Sequence, residues 1–334
     1  KYEIRKEILG VILGLGVFFL IGYGLALAAA AAVIFSIARS TSRLSKGASE
    51  VERGNLDHRV PVKRKDQLGD LAISFNSMTD SVQSMLSDVA EKERLAKELE
   101  LARQIQESLL PAVDLDAGPL VVRAVFEPAA EVGGDYFDIF TPSDDKMVVA
   151  IGDVAGHGLP AGLLMASLKS TVATLIHEDY SGAELIARVN SLIANNRQER
   201  TLVTLAVLEI DLAADVVRLA NAGHPPPLLM TPDGTVDELM AGSLPIGSRL
   251  AQPSTLERAL PPGSRILLYS DGLVEAVSED GEPFGYERLN ELVAGSSSSS
   301  GVEIVERVRL DLADHVGDVP LADDLTLLVI ERKG

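Results

Sequence analysis

Between Glu7 and Arg39 no residue is charged, and Leu, Ile, Val, Phe, Gly and Ala fill most positions. About 20 apolar residues suffice to cross the hydrocarbon core of a bilayer. The run 8–38 therefore predicts a transmembrane helix with room for tilt. It is too long for the apolar region of a signal peptide, and no small-residue cleavage site leads into a polar start. A buried Ala-rich core helix is the competing reading, but such helices seldom avoid charge for so long. Arg39, Arg43 and Lys46 follow directly, which predicts a cytoplasmic C-terminal side in the cell (inner) membrane. Lys1 stands where an initiating Met would, so further upstream sequence is expected.

Beyond the apolar run the spacing becomes regular. Ile37, Thr41, Leu44, Ala48 and Val51 step by four and three. After the connector GNLDHRVPVKRKD (54–66), the pattern resumes at Leu68, Leu71, Phe75, Met78, Val82, Met85 and Val89. Both are heptad stripes, and neither helix can bury its stripe alone. Two chains pairing into a parallel four-helix bundle solve this economically, so a parallel homodimer is expected. The connector GNLDHRVPV with the block LGDLAISFNSMTDSV resembles a HAMP signal-relay domain over 38–90. Gln67 departs from the Glu common in that family's "D-E-L-G" step.

A third helical segment, 91–111, ends at Pro111 and carries a fault in its periodicity. Extending the earlier register would put Lys92, Arg103 and Gln106 in the seam, whereas the apolar residues favour Leu95, Leu99, Ala102 and Leu109. One extra three-residue step of this kind is a stammer, which overwinds a coiled coil. Two outcomes are open: an overwound coiled-coil linker able to act as a switch helix, or a helix that leaves the coil to pack on the next domain.

From 118 to 333 the texture changes to short apolar, β-branched runs: VVRAVF (121–126), MVVAIGDV (147–154), TLVTLAVLEI (201–210), VVRLANAG (216–223), RILLYSDG (265–272) and LTLLVIE (325–331). Helical patterns lie between them at 159–178, 181–196 and 301–316. Strands follow one another in pairs rather than alternating strictly with helices. This predicts an antiparallel α+β layered domain rather than a doubly wound parallel sheet. The Ser run 296–300 reads as a flexible loop.

Composition adds three constraints. A chain of 334 residues suits two or three folded units. The absence of Cys excludes disulfides and thiolate metal sites, and fits a reducing compartment. Residues 1–65 hold eleven Lys and Arg against five Asp and Glu, so the net charge of −19 becomes about −25 over the remainder. So acidic a domain would repel a phosphate backbone, which argues against a nucleic-acid partner.

Four acidic residues share one habit. Asp135 follows Gly133-Gly134, Asp153 ends MVVAIGD, Asp271 ends RILLYSD, and Asp323 lies in ADD ahead of LTLLVI. Each sits where a strand-like run meets a turn, and strand ends in a layered fold converge on one edge. Singly, each is an ordinary turn or cap residue. Together they would repel and raise one another's pKa unless a cation compensates. Oxygen-only ligation favours a hard ion, Mg²⁺ or Mn²⁺, and no His spacing argues for zinc. The stretch GGDYF (133–137) also resembles the hairpin of cyclases that condense GTP. Such a cyclase wants a second acidic residue where Tyr136 stands, and the SDG and ADD blocks have no place in it.

The blocks QIQESLLP (104–111), VGGDYFDIF (132–140), IGDVAGHGLPAGLLMA (151–166), NAGHPPPLLM (221–230), LPIG (244–247), LLYSDGLVEA (267–276) and ADDLTLLVI (322–330) together resemble a PPM-type protein serine/threonine phosphatase of the SpoIIE/RsbU-like bacterial branch. Tyr136-Phe137 departs from the family's more frequent Phe-Tyr. The resemblance implies an α-β-β-α sandwich over 118–333, behind the transmembrane helix, HAMP bundle and linker. It implies two divalent cations, Mn²⁺ or Mg²⁺. Asp153 would bridge them, with Asp135 on one side, Asp271 and Asp323 on the other, and the Val154 carbonyl as a further ligand. Asp324 is the lesser candidate of its pair, and His157 and His224 would be architectural. Two cations about 3.5–4 Å apart would acidify a bridging water for in-line attack on phosphorus, with no covalent phosphoenzyme. The implied substrate is phosphoserine or phosphothreonine on a STAS-type anti-anti-sigma protein. A non-catalytic scaffold with a phosphatase-like fold is the alternative, and retention of all four Asp blocks argues against it.

Overall fold

The computed structural model describes residues 2–63, 65–112, 114–129, 132–156, 158–195, 202–248, 253–296 and 299–334. It divides into two compact units, 1–96 and 97–334.

In the first unit, helix α1 (Tyr2–Glu52) runs without a break from the apolar span into the first heptad stripe. Its described span from Ile8 is long and apolar enough to cross a membrane, and none of its most apolar window is buried. Helix α2 (Gln67–Leu109) begins after the connector, where Asp66 accepts the Gly69 N–H. The connector is pinned at Val60, whose N–H and C=O are both met by the Asn76 carboxamide (2.9 and 3.0 Å). Gly47 has no side chain because a Cβ there would come within 2.5 Å of Val60. In the part of α2 that belongs to this unit, the residues buried within one chain are Gly69, Ala72 and Thr79, small or polar positions that apolar periodicity overlooks. Leu71, Met78, Val82, Met85 and Val89 remain exposed, an apolar stripe left without cover in a single chain.

In the second unit, two antiparallel sheets face each other. One has strand order β1-β2-β11-β10-β7-β8, the other β3-β4-β5-β6-β9. The strands of the first are β1 (Asp114–Ala117), β2 (Leu120–Glu127), β7 (Leu228–Met230), β8 (Val236–Glu238), β10 (Arg265–Tyr269) and β11 (Leu325–Arg332). Those of the second are β3 (Tyr136–Ser143), β4 (Lys146–Val154), β5 (Val203–Asp211), β6 (Val216–Ala222) and β9 (Thr255–Ala259). Alternation along a strand sends successive side chains to opposite faces. Met147, Val149 and Ile151 of β4 accordingly join Val122, Ile266 and Leu328 between the sheets. Ala150 and Val154 face outward onto α3 (Leu159–His177) and α4 (Gly182–Asn195). On the far side, α5 (Asp271–Glu275), α6 (Tyr286–Ala294) and α7 (Gly301–Val316) cover the other sheet through Leu273, Leu289, Val293, Ile304 and Val308. The layering is α-β-β-α, as the resemblance implied.

Strand β3 and the short β7, β8 and β9 are not visible as apolar runs, because β3 carries Asp138, Thr141 and Pro142 and the others span only a few residues. Of the Ser run, Ser297 and Ser298 lie outside the described residues. Ser296 is buried, and Ser300 caps α7 in a reciprocal box with Glu303.

The end of α2 lies in this unit. Ala102, Arg103, Gln106, Leu109 and Leu110 are buried or half-buried, while Leu101 and Ile105 on the opposite face are exposed. Leu110 packs against the core between the sheets. Over this last stretch the helix faces the layered domain, while Leu95, in the first unit, is exposed in a single chain.

Candidate metal and catalytic site

Pairing register brings the four strand-end carboxylates to one edge. Tyr136 opposes Gly152 across β3 and β4, so Asp135 and Asp153 lie at the same end of that pair. Tyr269 opposes Leu327 across β10 and β11, so Asp271 and Asp323 flank the corresponding end of the other sheet. A side-chain bond joins the two sheets here: Thr326 Oγ1 of β11 donates to Asp135 Oδ2 at 2.5 Å.

The loop ahead of β3 is glycine because of what it touches. A Cβ on Gly134 would lie 2.5 Å from the Val154 carbonyl and 2.8 Å from Asp153 Oδ1. One on Gly133 would lie 2.0 Å from the Asp324 carboxylate. Neither glycine has positive φ, so close approach rather than backbone freedom dictates the residue. The Gly133-Gly134-Asp135 loop thus backs directly onto Asp153 and the Val154 carbonyl.

Asp324 holds this loop. It is 4 % exposed; its Oδ2 accepts the Gly134 N–H at 2.7 Å and the Asp135 N–H at 3.3 Å, and its Oδ1 accepts the Ala129 N–H at 2.9 Å. Ser270 locks the adjoining turn, donating to the Asp324 carbonyl and accepting the Thr326 N–H. A Cβ on Gly272 would come within 2.1 Å of that same carbonyl oxygen. Gly272→Ala must therefore shift backbone, and we expect a loss of about 1–3 kcal/mol, read as a lowered thermal unfolding midpoint.

The electrostatics reflect convergence. Asp135, 1 % exposed, is held well above the usual carboxylate range by burial, with Asp153 and Asp324 adding repulsion and Thr326 opposing it. Burial, then Asp271, Asp323 and Asp324, push Asp153 up to about 7. Burial, Asp323 and Glu275 raise Asp271. These carboxylates share one field, and uncompensated negative charge is its dominant feature. Among the described residues, no three Asp, Glu or His side chains form a ready-made cation cage. The donor set nonetheless suits hard cations. It is carboxylate and carbonyl oxygen throughout, and the mutual repulsion is of the kind a divalent ion relieves.

Behind Asp153 lies a neutral relay. The Asp153 N–H donates to Thr204 Oγ1, which sits 2.9 Å from His224 Nδ1. Burial lowers His224 to about 3, so its ring is uncharged at neutral pH. Its Nε2 is buried near the Tyr269 carbonyl but makes no hydrogen bond of normal geometry. Asn221 brackets the His224 peptide from both sides. His157 lies outside the described residues. Nearby, Lys169 of α3 pairs with the buried Asp138 of β3.

Sequence reasoning missed Thr326, Ser270, Thr204 and Gln106, and Asp324 as the loop's anchor. For Thr326 a signal existed: it stands two residues after Asp324 at the head of a strand, on the same face.

Residues 143–333 match the Stage II sporulation protein E (SpoIIE) family and residues 32–84 match the HAMP domain. The SpoIIE match includes Asp153, Asp271 and Asp323, while Asp135 precedes it. Protein IcfG of Synechocystis sp. is 27% identical over 86% of this chain, and the chain spans about half (50%) of that relative's length. The phosphoserine phosphatase RsbU of Bacillus subtilis is 28% identical over 72% of each protein. The SiaA-PP2C domain of Pseudomonas aeruginosa superposes with a TM-score of 0.66 and 22% identity, over 72% of this chain and 98% of that domain. With its two facing sheets, its helical outer layers and its carboxylates at the shared edge, the chain belongs to the SpoIIE family, carries a HAMP domain, and has the fold of the SiaA-PP2C domain in its layered part.

Proposed function

We propose that this chain is a membrane-anchored, signal-regulated protein phosphatase, dependent on two divalent cations, that hydrolyses phosphoserine or phosphothreonine on a STAS-type anti-anti-sigma regulator. The observation that carries this reading is the gathering of Asp135, Asp153, Asp271 and Asp323 in one repulsive field where both sheets end, in a chain of the SpoIIE family.

In this proposal Asp135, Asp153, Asp271, Asp323 and the Val154 carbonyl would hold two Mn²⁺ or Mg²⁺ ions. Asp153 would be the ligand common to both, with Asp135 and the Val154 carbonyl completing one set and Asp271 and Asp323 the other. Bound there, the cations would activate water and neutralise phosphoryl charge. The chain's own residues do the positioning. Thr326 and the Asp324-anchored loop orient Asp135, Thr204 orients the Asp153 backbone, and buried Tyr136 and Val154 keep water from the rear of the site.

The apolar span 8–38 anchors the chain in the cell (inner) membrane with the catalytic domain cytoplasmic, by the charge following it. A HAMP unit over 38–90 and a linker over 91–111 relay the signal to a phosphatase domain over 118–333, in a parallel homodimer. The exposed stripe on α2 supports the dimer. The partner-switching substrate rests on likeness to RsbU.

The test is phosphate release from a phosphorylated STAS-domain protein by the full chain in detergent. We expect turnover with Mn²⁺ or Mg²⁺ and none after chelation, restored on adding metal back. Undiminished turnover by stripped protein would sink the cation-dependent mechanism, and no turnover under any metal would favour the scaffold.

A further inference from the structure

We infer that Gln106 is a positioning residue for this site, resting on the reading of Asp135 as a cation ligand. Its side chain, 5 % exposed, donates from Nε2 to the Gly133 carbonyl at 2.7 Å and accepts the Gly133 N–H on Oε1 at 3.0 Å. A single carboxamide thus satisfies both polar groups of one residue in a buried loop, two residues before Asp135. An amide of this length supplies donor and acceptor together at every pH. A hydrocarbon would leave both Gly133 groups unpaired in a buried setting.

The chemistry of the position fits this role. Gln106 lies on the face of α2 that also carries Leu99, Ala102 and Leu109, all half-buried. A side chain serving only to pack would be apolar there. The loop has three other handles, one of them the Val154 N–H donating to the Gly134 carbonyl at 3.3 Å. Asp324 takes the N–H groups of Gly134 and Asp135, and the Gly158 N–H ahead of α3 donates to the Val132 carbonyl at 3.0 Å. Among these, Gln106 alone bonds both the N–H and the C=O of Gly133. The same device recurs where Asn76 brackets Val60 and Asn221 brackets His224, so amide clamps on turning backbone are a habit of this fold. Through Gln106 the geometry of Asp135 depends on a helix outside the two sheets.

The test is direct Mn²⁺ binding to the full chain in detergent, followed by loss of the free-ion electron paramagnetic resonance signal. Hydrogen exchange of the peptide spanning 132–140 is measured alongside without metal. Gln106→Leu should weaken Mn²⁺ binding about 10–100-fold, the range for partners that orient metal ligands, and should speed exchange at the loop. Gln106→Glu keeps the length and one acceptor but loses the donor while ionised. Its affinity deficit relative to the native chain should close as pH falls and the protonated acid regains a donor, which a packing role would not produce. Ile105→Gln, on the exposed neighbouring position, should bind as the native chain does. Native affinity and native loop protection in both Gln106 variants would overturn the inference while leaving the cation site standing. No Mn²⁺ binding by the native chain would overturn both.

Discussion

Asp153→Asn should abolish phosphatase activity, lowering kcat by at least on the order of 1,000-fold, or about 4 kcal/mol of transition-state stabilisation. The proposed bridging position is the one that no other carboxylate can replace. Asp135 is already engaged with Thr326, and Asp323 accepts the Asp324 N–H. The amide is nearly isosteric, so the fold should survive. Its effect on stability has a definite sign. Burial and three neighbouring carboxylates raise Asp153 from the ordinary carboxylate value to about 7. A raised carboxylate contributes stability that is present below its unfolded pKa and lost as pH rises through the folded one. The metal-free native chain should therefore lose stability between pH 4 and pH 7. Asp153→Asn removes the group that must ionise there, so metal-free variant and native chain should differ most above pH 7, with the variant more stable, and converge near pH 4. Added Mn²⁺ should reverse the order, because it stabilises only the chain that binds it. Thermal unfolding at pH 4, 6 and 8, with and without Mn²⁺, reads all of this. Native activity in the variant, or a stability gain largest at pH 4, would contradict the assignment.

The second large effect is expected at Asp324, for a different reason. Asp324→Ala removes the acceptor for the buried Gly134 and Asp135 N–H groups and for the Ala129 N–H. Unsatisfied buried donors cost about 1–3 kcal/mol each, so the loss should be about 2–5 kcal/mol, a large part of a typical domain's total. Asp324→Asn retains one acceptor oxygen for the Gly134 side but turns N–H groups toward another N–H. Its cost should be about half. Urea denaturation followed to a midpoint shift at unchanged slope separates the two. If alanine proved neutral, the loop would not depend on this carboxylate, and Asp324 would return to the list of possible cation ligands.

The same residues show how far sequence reading reaches. Asp135, Asp153, Asp271 and Asp323 stand at the ends of apolar runs, a local pattern that antiparallel pairing translates into a shared edge. Asp324 is adjacent to one of them and carries the same charge, yet its carboxylate turns inward onto a loop about 190 positions away. Nothing local to the ADD block distinguishes an inward carboxylate from an outward one. Alternation along β11 places neighbours on opposite faces, but which face meets the glycine loop depends on the register of the other sheet. Gln106 shows the complementary case. Its polar side chain on a half-apolar stripe was visible as a fault in the heptad. Only the fold reveals that the fault is a hydrogen-bond pair to Gly133.

By itself the sequence determined what depends on neighbours along the chain. These are the uncharged span 8–38, the heptad stripes that no single chain covers, the alternating strands, and carboxylates where strands turn. Periodicity and composition act over a few residues and need no partner to be read. Tertiary structure alone decided which polar groups satisfy one another: the Asp324 hold on Gly134 and Asp135, the Thr326 bond to Asp135, the Thr204–His224 relay and the Gln106 clamp. A hydrogen bond needs its atoms within about 3 Å. For groups this far apart in the chain, only the pairing register and the packing of two sheets set that distance.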